Sequence, residues 1–153
     1  METLEPLLAE HEFFRDLPPE AIRLFTQCAA NVRFEAGQYL FREGGDADRF
    51  YAVRHGRVAV EVHVPGRGGV TIQTVGPGEV LGWSWLFAPY RWHFDARAIE
   101  PTRVLAFDAV CIRQKCEADH DLGYELMKRL AQVVTERLEA SRLQILDVYG
   151  RAG

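Results

Sequence analysis

From Val58 to Val64 the chain changes character at every residue, with Val58, Val60, Val62 and Val64 alternating with Ala59, Glu61 and His63. A period of two with β-branched residues on one side describes a strand that buries one face and wets the other. The same reading applies to Val32 and Phe34, to Tyr39-Leu40-Phe41, to Phe50-Tyr51-Ala52-Val53, to Val70, Ile72 and Thr74, to Phe94, Ala96 and Ala98, and to Val104-Leu105-Ala106-Phe107. Turn signals separate them at Ala36-Gly37, Gly44-Gly45-Asp46, His55-Gly56 and Pro65-Gly66-Arg67-Gly68-Gly69. About eight short strands at such spacing specify an antiparallel sandwich or barrel.

The two ends of the chain have helical periodicity instead. Leu4, Leu7, Leu8, Phe13, Phe14 and Leu17 share a side, after which Asp16 is expected to cap, and Pro19 to open, a second short helix carrying Ile22, Leu24 and Phe25. Beyond Val110 the period changes again. Asp119 or Asp121 caps a final helix reaching about Tyr149, roughly 40 Å long. A helix longer than its own barrel needs a partner for the surplus, and Leu126, Leu130, Val133, Val134, Leu138, Ser141, Ile145 and Val148 are assigned to a homodimer seam. Arg129, Arg137 and Arg142 are expected to be solvated on that helix beside Glu136 and Glu139. The expected organisation is one domain over 1–153: N-terminal helices at 1–30, a β-roll at 31–109 and C-terminal helices at 110–153.

Several function classes are disfavoured. The net charge of −4 over 153 residues gives no bulk attraction to nucleic acid. No apolar run approaches the ~20 residues of a membrane span, and the acidic start Met1-Glu2-Thr3-Leu4-Glu5 is unlike a signal peptide, so a cytoplasmic protein is expected. Cys28, Cys111 and Cys116 make neither an even disulfide framework nor a C-x-x-C pair, so reduced thiols are expected. Histidines 11, 55, 63, 93 and 120 form no metal motif, and the H-x-H of a cupin-like metalloenzyme is missing. Ser84 and Ser141 lack a G-x-S-x-G setting. No catalytic role and no metal are expected.

The stretch from Gly76 to Ala98 holds three glycines in its first seven residues and all three tryptophans of the chain, the composition of a backbone bent tightly and supported by rings. Its start, Gly76-Pro77-Gly78-Glu79-Val80-Leu81-Gly82, follows Phe34-Glu35-Ala36-Gly37-Gln38-Tyr39-Leu40-Phe41-Arg42-Glu43-Gly44 and Phe50-Tyr51-Ala52-Val53-Arg54-His55-Gly56-Arg57-Val58. In that order the three segments resemble the cyclic nucleotide-binding domain of the catabolite-activator/FNR family over roughly residues 10 to 149. The resemblance implies a mainly β fold, a double-stranded β-helix or jelly roll with flanking helices and a long C-terminal dimerisation helix.

In that family the residues after the last glycine form the phosphate-binding cassette, in which backbone N–H groups and an arginine grip the cyclic phosphate while a glutamate holds the ribose. Laid onto this chain, Gly82 matches the glycine, Trp83 stands at the glutamate and Trp92 at the arginine, with Ser84, Trp85 and His93 in the same candidate site. A slip of one residue makes Arg91 the phosphate arginine, although strand alternation turns Arg91 outward when Phe94 and Ala96 face in. Asp95 would then need a partner, and Arg97 suits a strand-surface ion pair.

Three readings of the cavity stay open. The indoles close it; or it takes another aromatic, heme-like or nucleobase-bearing small molecule with His93 or Arg91 as polar handle; or it binds a cyclic nucleotide through the Ser84 hydroxyl, backbone amides and Arg91. The expected function is a non-catalytic regulatory or sensor module acting as a homodimer on an unknown partner protein. The alternative is a genuine cAMP or cGMP sensor of a transcription-regulatory system. The family usually continues into a helix-turn-helix domain, and with Gly153 four residues past Tyr149 direct DNA binding is not expected.

Overall fold

The computed structural model describes residues 4–152, with side chains to residue 147. Eight strands run from β1 to β8: Ala29–Phe34, Tyr39–Phe41, Arg49–His55, Val58–Val64, Gly68–Val75, Val80–Leu81, Asp95–Ala98 and Thr102–Asp108. They form two four-stranded sheets in the orders β1-β8-β3-β6 and β2-β7-β4-β5, antiparallel throughout. Spatial neighbours distant in sequence, folded as two facing sheets, make the jelly roll that the strand spacing and the resemblance predict.

The strict alternation of β4 does not survive folding. Val58, Ala59, Val60 and Glu61 are all buried, and the register with β5 shifts between Val60 and Glu61. Glu61 is tolerated there because Arg97 on β7 meets its carboxylate with two bonds, Nε to Oε1 at 3.0 Å and Nη2 to Oε2 at 3.3 Å. Arg97 is thus the strand ion-pair residue the sequence suggests, although its partner is inside the sheet. The β3–β4 turn is fixed by packing as well as by chain reversal: a Cβ on Gly56, whose φ is +94°, would stand 2.5 Å from the Pro101 carbonyl oxygen.

The N-terminal elements are α1 (Glu5–Glu10), a 3-10 turn (Glu12–Phe14) and α2 (Pro19–Thr26). Pro19 opens α2 as expected, but Asp16 does not cap it. Pro18, which has no side-chain acceptor, occupies the cap. The paired phenylalanines drive this segment onto the barrel, where Phe14 lies 5.2 Å from Phe107 and Phe107 stacks on Phe50 at 4.6 Å.

Two helices close the chain, α3 (Ala109–Ala118) and α4 (His120–Ala152). Asp108 caps α3 through the Cys111 N–H at 2.8 Å. Of the two candidate caps for α4 it is Asp119 that accepts from the Leu122 N–H, at 3.2 Å. Leu122, Leu126 and Leu130 are buried in the chain's own core and Val133 packs against it. The assignment of Leu126 and Leu130 to a dimer seam is therefore corrected, because the first three turns of α4 pack against α3 and turn that face into the chain's own core. Val134, Leu138, Ser141 and Ile145 remain exposed, and the side chain of Val148 lies outside the described residues.

The cysteine expectation is corrected too. Cys28 and Cys111 form a disulfide, with Cα atoms 5.6 Å apart, and Cys116 is the free thiol. Cys28 immediately precedes β1 and Cys111 sits in the first turn after β8; the pairing of Ala29 with Phe107 brings them together. Counting cysteines cannot reveal a strand register.

Candidate ligand cavity between the cassette and the long helix

The site begins where β6 pairs with β3, Leu81 against Tyr51. Gly82 follows with φ +94°, and a Cβ there would stand 2.7 Å from Trp92 Cη2, so the close passage of the indole requires glycine. Ser84–Leu86 then makes a single 3-10 turn.

The three tryptophans have three different roles. Trp85 is fully buried, stacked on Phe50 at 5.2 Å, and its indole N–H donates to the Gly82 carbonyl at 3.0 Å. It belongs to the core and supports the turn from below, so its place in the candidate site is corrected. Trp92 lies flat on Phe41, with ring centroids 3.8 Å apart, and forms one end of the cavity wall. Trp83 is half-buried at the mouth, beneath the guanidinium of Arg137, which stands 5.0 Å from its ring centroid.

The polar residues sort with the strand alternation. Arg91 is exposed and pairs with Asp46, Nη1 to Oδ1 at 2.8 Å, and also donates to the Gly44 carbonyl at 3.3 Å. It is absent from the lining of the barrel cavity and stands instead on the adjoining hollow with Trp83, Ser84 and His93. His93 is exposed on the rim, and Ser84 lines the wall. Asp95 has partners, the Glu43 N–H at 2.7 Å and Arg42 at 3.5 Å.

The cavity measures about 300 Å3. Phe41, Leu81, Gly82, Trp83, Ser84, Trp92, His93 and Phe94 line it from the barrel, Val60, Ile72 and Gln73 from β4 and β5, and Val134, Arg137, Leu138 and Ser141 from α4. The walls are mainly apolar and aromatic and carry no acidic side chain. Across Trp83 a second apolar hollow of about 590 Å3 runs between Phe87, Pro89 and the α4 residues Met127, Leu130 and Val134, and a polar cleft of about 510 Å3 lies on the far side of Arg137 beside Glu12, Glu79 and Glu136.

Arg137 is the site residue that sequence reasoning missed. Its guanidinium donates to the Val80 carbonyl and covers Trp83, and burial lowers its pKa, opposed by the fields of Glu79 and Glu136. Arg129 likewise turns in, donating to the Phe13 carbonyl at 2.7 Å. Both correct the expectation of solvated charges. A signal was present: Val134, Arg137, Leu138 and Ser141 follow the spacing of one helical face. Among the described residues no cluster suits a metal ion, and no helix is long and apolar enough to cross a membrane.

Two facing sheets, a glycine-bent turn and a long helix thus share the walls of one cavity in a β-roll. A family model described as the cyclic nucleotide-binding domain matches residues 31–119, and the chain belongs to that family. It is similar to the CRP-like cAMP-activated global transcriptional regulator of Mycobacterium tuberculosis, 26% identical over 145 residues that make up 95% of this chain and 63% of the relative. The chain thus spans less than two-thirds of that regulator's length. A cyclic nucleotide-binding-like protein from Brucella abortus is 31% identical with a TM-score of 0.60, covering 74% of this chain and 97% of that one. A cyclic nucleotide-binding domain from Methylobacillus flagellatus shares the fold, with a TM-score of 0.84 at 23% identity, covering 96% of this chain and 86% of that one.

Proposed function

We propose that the chain is a non-catalytic sensor module whose ligand is selected by stacking and shape in an altered, tryptophan-lined cassette, and which acts on a partner protein as a homodimer. The observation that carries this reading is the shared wall. Gly82, Trp83, Ser84 and Trp92 from the cassette and Val134, Arg137, Leu138 and Ser141 from α4 line one space, so a bound molecule touches both. A ligand that binds one arrangement of α4 better than another shifts the helix toward it. The positions that the family resemblance gives to a glutamate and an arginine hold Trp83 and Trp92, and Arg91 is spent on Asp46 outside. Within the cavity the cassette therefore offers a cyclic phosphate Ser84, His93 and backbone N–H groups.

The helix supports the second half of the reading. Met127, Val134, Leu138 and Ile145 are exposed apolar residues which, with Ala131 and Ser141, follow alternating steps of four and three along α4. Calorimetry with cAMP and cGMP tests the altered cassette: no heat at micromolar concentration is expected. Micromolar binding would instead establish the second reading, a cyclic-nucleotide sensor, which is favoured by Ser84 in the wall and by the regulator it resembles.

A further inference from the structure

Where arginines of this chain come near other charges, a carboxylate meets them: Arg97 has Glu61 at 3.0 Å, Arg91 has Asp46 at 2.8 Å and Arg42 has Asp95 at 3.5 Å. Arg137 differs. Among the described residues its partners are the Val80 carbonyl and the face of Trp83, with no carboxylate at ion-pair distance. A guanidinium taken partly out of water, with Glu79 and Glu136 acting on it only at a distance and no carboxylate in contact, is costly. One carbonyl accepts one of its five N–H donors, and the others are not sealed in packing, since Arg129 Nε is the one buried side-chain polar atom without a partner among the described residues.

Arg137 stands between two spaces that differ in charge. The polar cleft on one side carries Glu12, Glu79 and Glu136, which repel an anion. The cassette cavity on the other side has no acidic residue and is walled by indole and phenyl rings. We infer that Arg137 reads the ligand of this cavity, a planar aromatic monoanion whose ring lies beside Trp83 and Trp92 and whose negative group meets the guanidinium. This rests on the cavity being the ligand site. It sets the anion at the α4 wall, so the charge interaction ties the helix directly to the ligand. The carboxylate of an aromatic acid and the phosphodiester of a cyclic nucleotide share this chemistry.

The test is calorimetric titration of the whole chain with 2-naphthoate, its uncharged counterpart 2-naphthalenemethanol, and cyclic AMP. Naphthoate is expected to bind about 10- to 100-fold more tightly than the alcohol. Arg137→Met is expected to erase that preference and Arg137→Lys to keep part of it. Cyclic AMP binding that weakens by a similar factor in Arg137→Met supports the inference with a phosphodiester as the anion; naphthoate binding without cyclic AMP binding supports it with a free acid. Equal affinity for naphthoate and the alcohol overturns the role of Arg137 while the cavity remains a ligand site. A preference kept in Arg137→Met but lost in Arg91→Gln also overturns it. If none of the three binds, the inference and the sensor reading fall together. Equal affinities in the wild-type chain overturn the inference without any variant, and where Arg137→Met fails to fold the same assignment is read from Arg137→Lys against Arg91→Gln: a preference reduced in the first and kept in the second supports it, and the reverse overturns it.

Discussion

The Trp92 indole lies on the Phe41 ring with centroids 3.8 Å apart and planes 11° from parallel, and its far edge crosses the backbone at Gly82. This stack joins the cassette to β2. The Trp92 backbone completes the joint by exchanging bonds with the glycine turn, N–H to the Gly45 carbonyl at 3.0 Å and carbonyl to the Gly44 N–H at 2.9 Å.

Truncating that ring leaves a hole against Phe41. Trp92→Ala is expected to cost about 3–5 kcal/mol of stability, measured by urea unfolding, and Trp92→Phe clearly less because a ring still covers Phe41. A loss below about 0.5 kcal/mol in Trp92→Ala, the scale of an ordinary surface substitution, would show that the stack does not hold the cassette.

Gly82 carries both a left-handed φ of +94° and the indole edge 2.7 Å from where a Cβ would stand. Gly82→Ala is therefore expected to lose more than about 1 kcal/mol from backbone strain alone, and to lower the melting temperature by at least about 2 °C. An unchanged melting curve would mean that the turn relaxes without cost.

His11 is buried, with Nδ1 accepting from the Phe13 N–H at 3.1 Å and Nε2 donating to the Val53 carbonyl at 2.8 Å. Those roles require the neutral ring, and burial pulls its pKa below the ordinary 6.5, outweighing the bond to Val53. Between the folded value and 6.5 the unfolded chain binds the proton and the folded chain does not. The stability from this group is thus present above pH 6.5 and is lost as pH falls through the lowered folded value. Urea midpoints from pH 7.5 down to 5 should decline, and less steeply in His11→Gln; parallel profiles for the two proteins would rule His11 out as the cause.

The exposed stripe on α4 is the seam of the homodimer proposed above. Leu138→Glu and Ile145→Glu should each weaken self-association by about tenfold or more, since a charge then enters an apolar seam. Sedimentation equilibrium reads this directly. A wild-type chain that sediments as a monomer at all concentrations contradicts the assignment.

Much of the fold was legible because short-range rules produce it. Strand-like patterning marked β1 to β5, β7 and β8, while the two-residue β6 was hidden in the glycine-rich turn; Pro19 opened α2, and acidic residues before Leu122 announced α4. The cassette turn could be read from its glycines, and alternation alone set Arg91 outward. The failures have one cause. Trp83, Trp85 and Trp92 look alike in sequence, yet only the packing of Phe50 and Phe41 makes one of them core and another a wall. Leu126 and Val134 share an apolar pattern on α4, and the packing of the core decides which is buried.

Most elements, their order and the glycine scaffold of the cavity follow from residues a few positions apart, which is why they could be read along the chain. The tertiary structure alone decided the rest: it set Arg137 against a carbonyl 57 residues away, joined Cys28 to Cys111 across 83 residues, and moved two leucines from a seam to the core. Periodicity records which way a side chain points along its own element, whereas the charge and shape of the cavity arise only when separate elements meet.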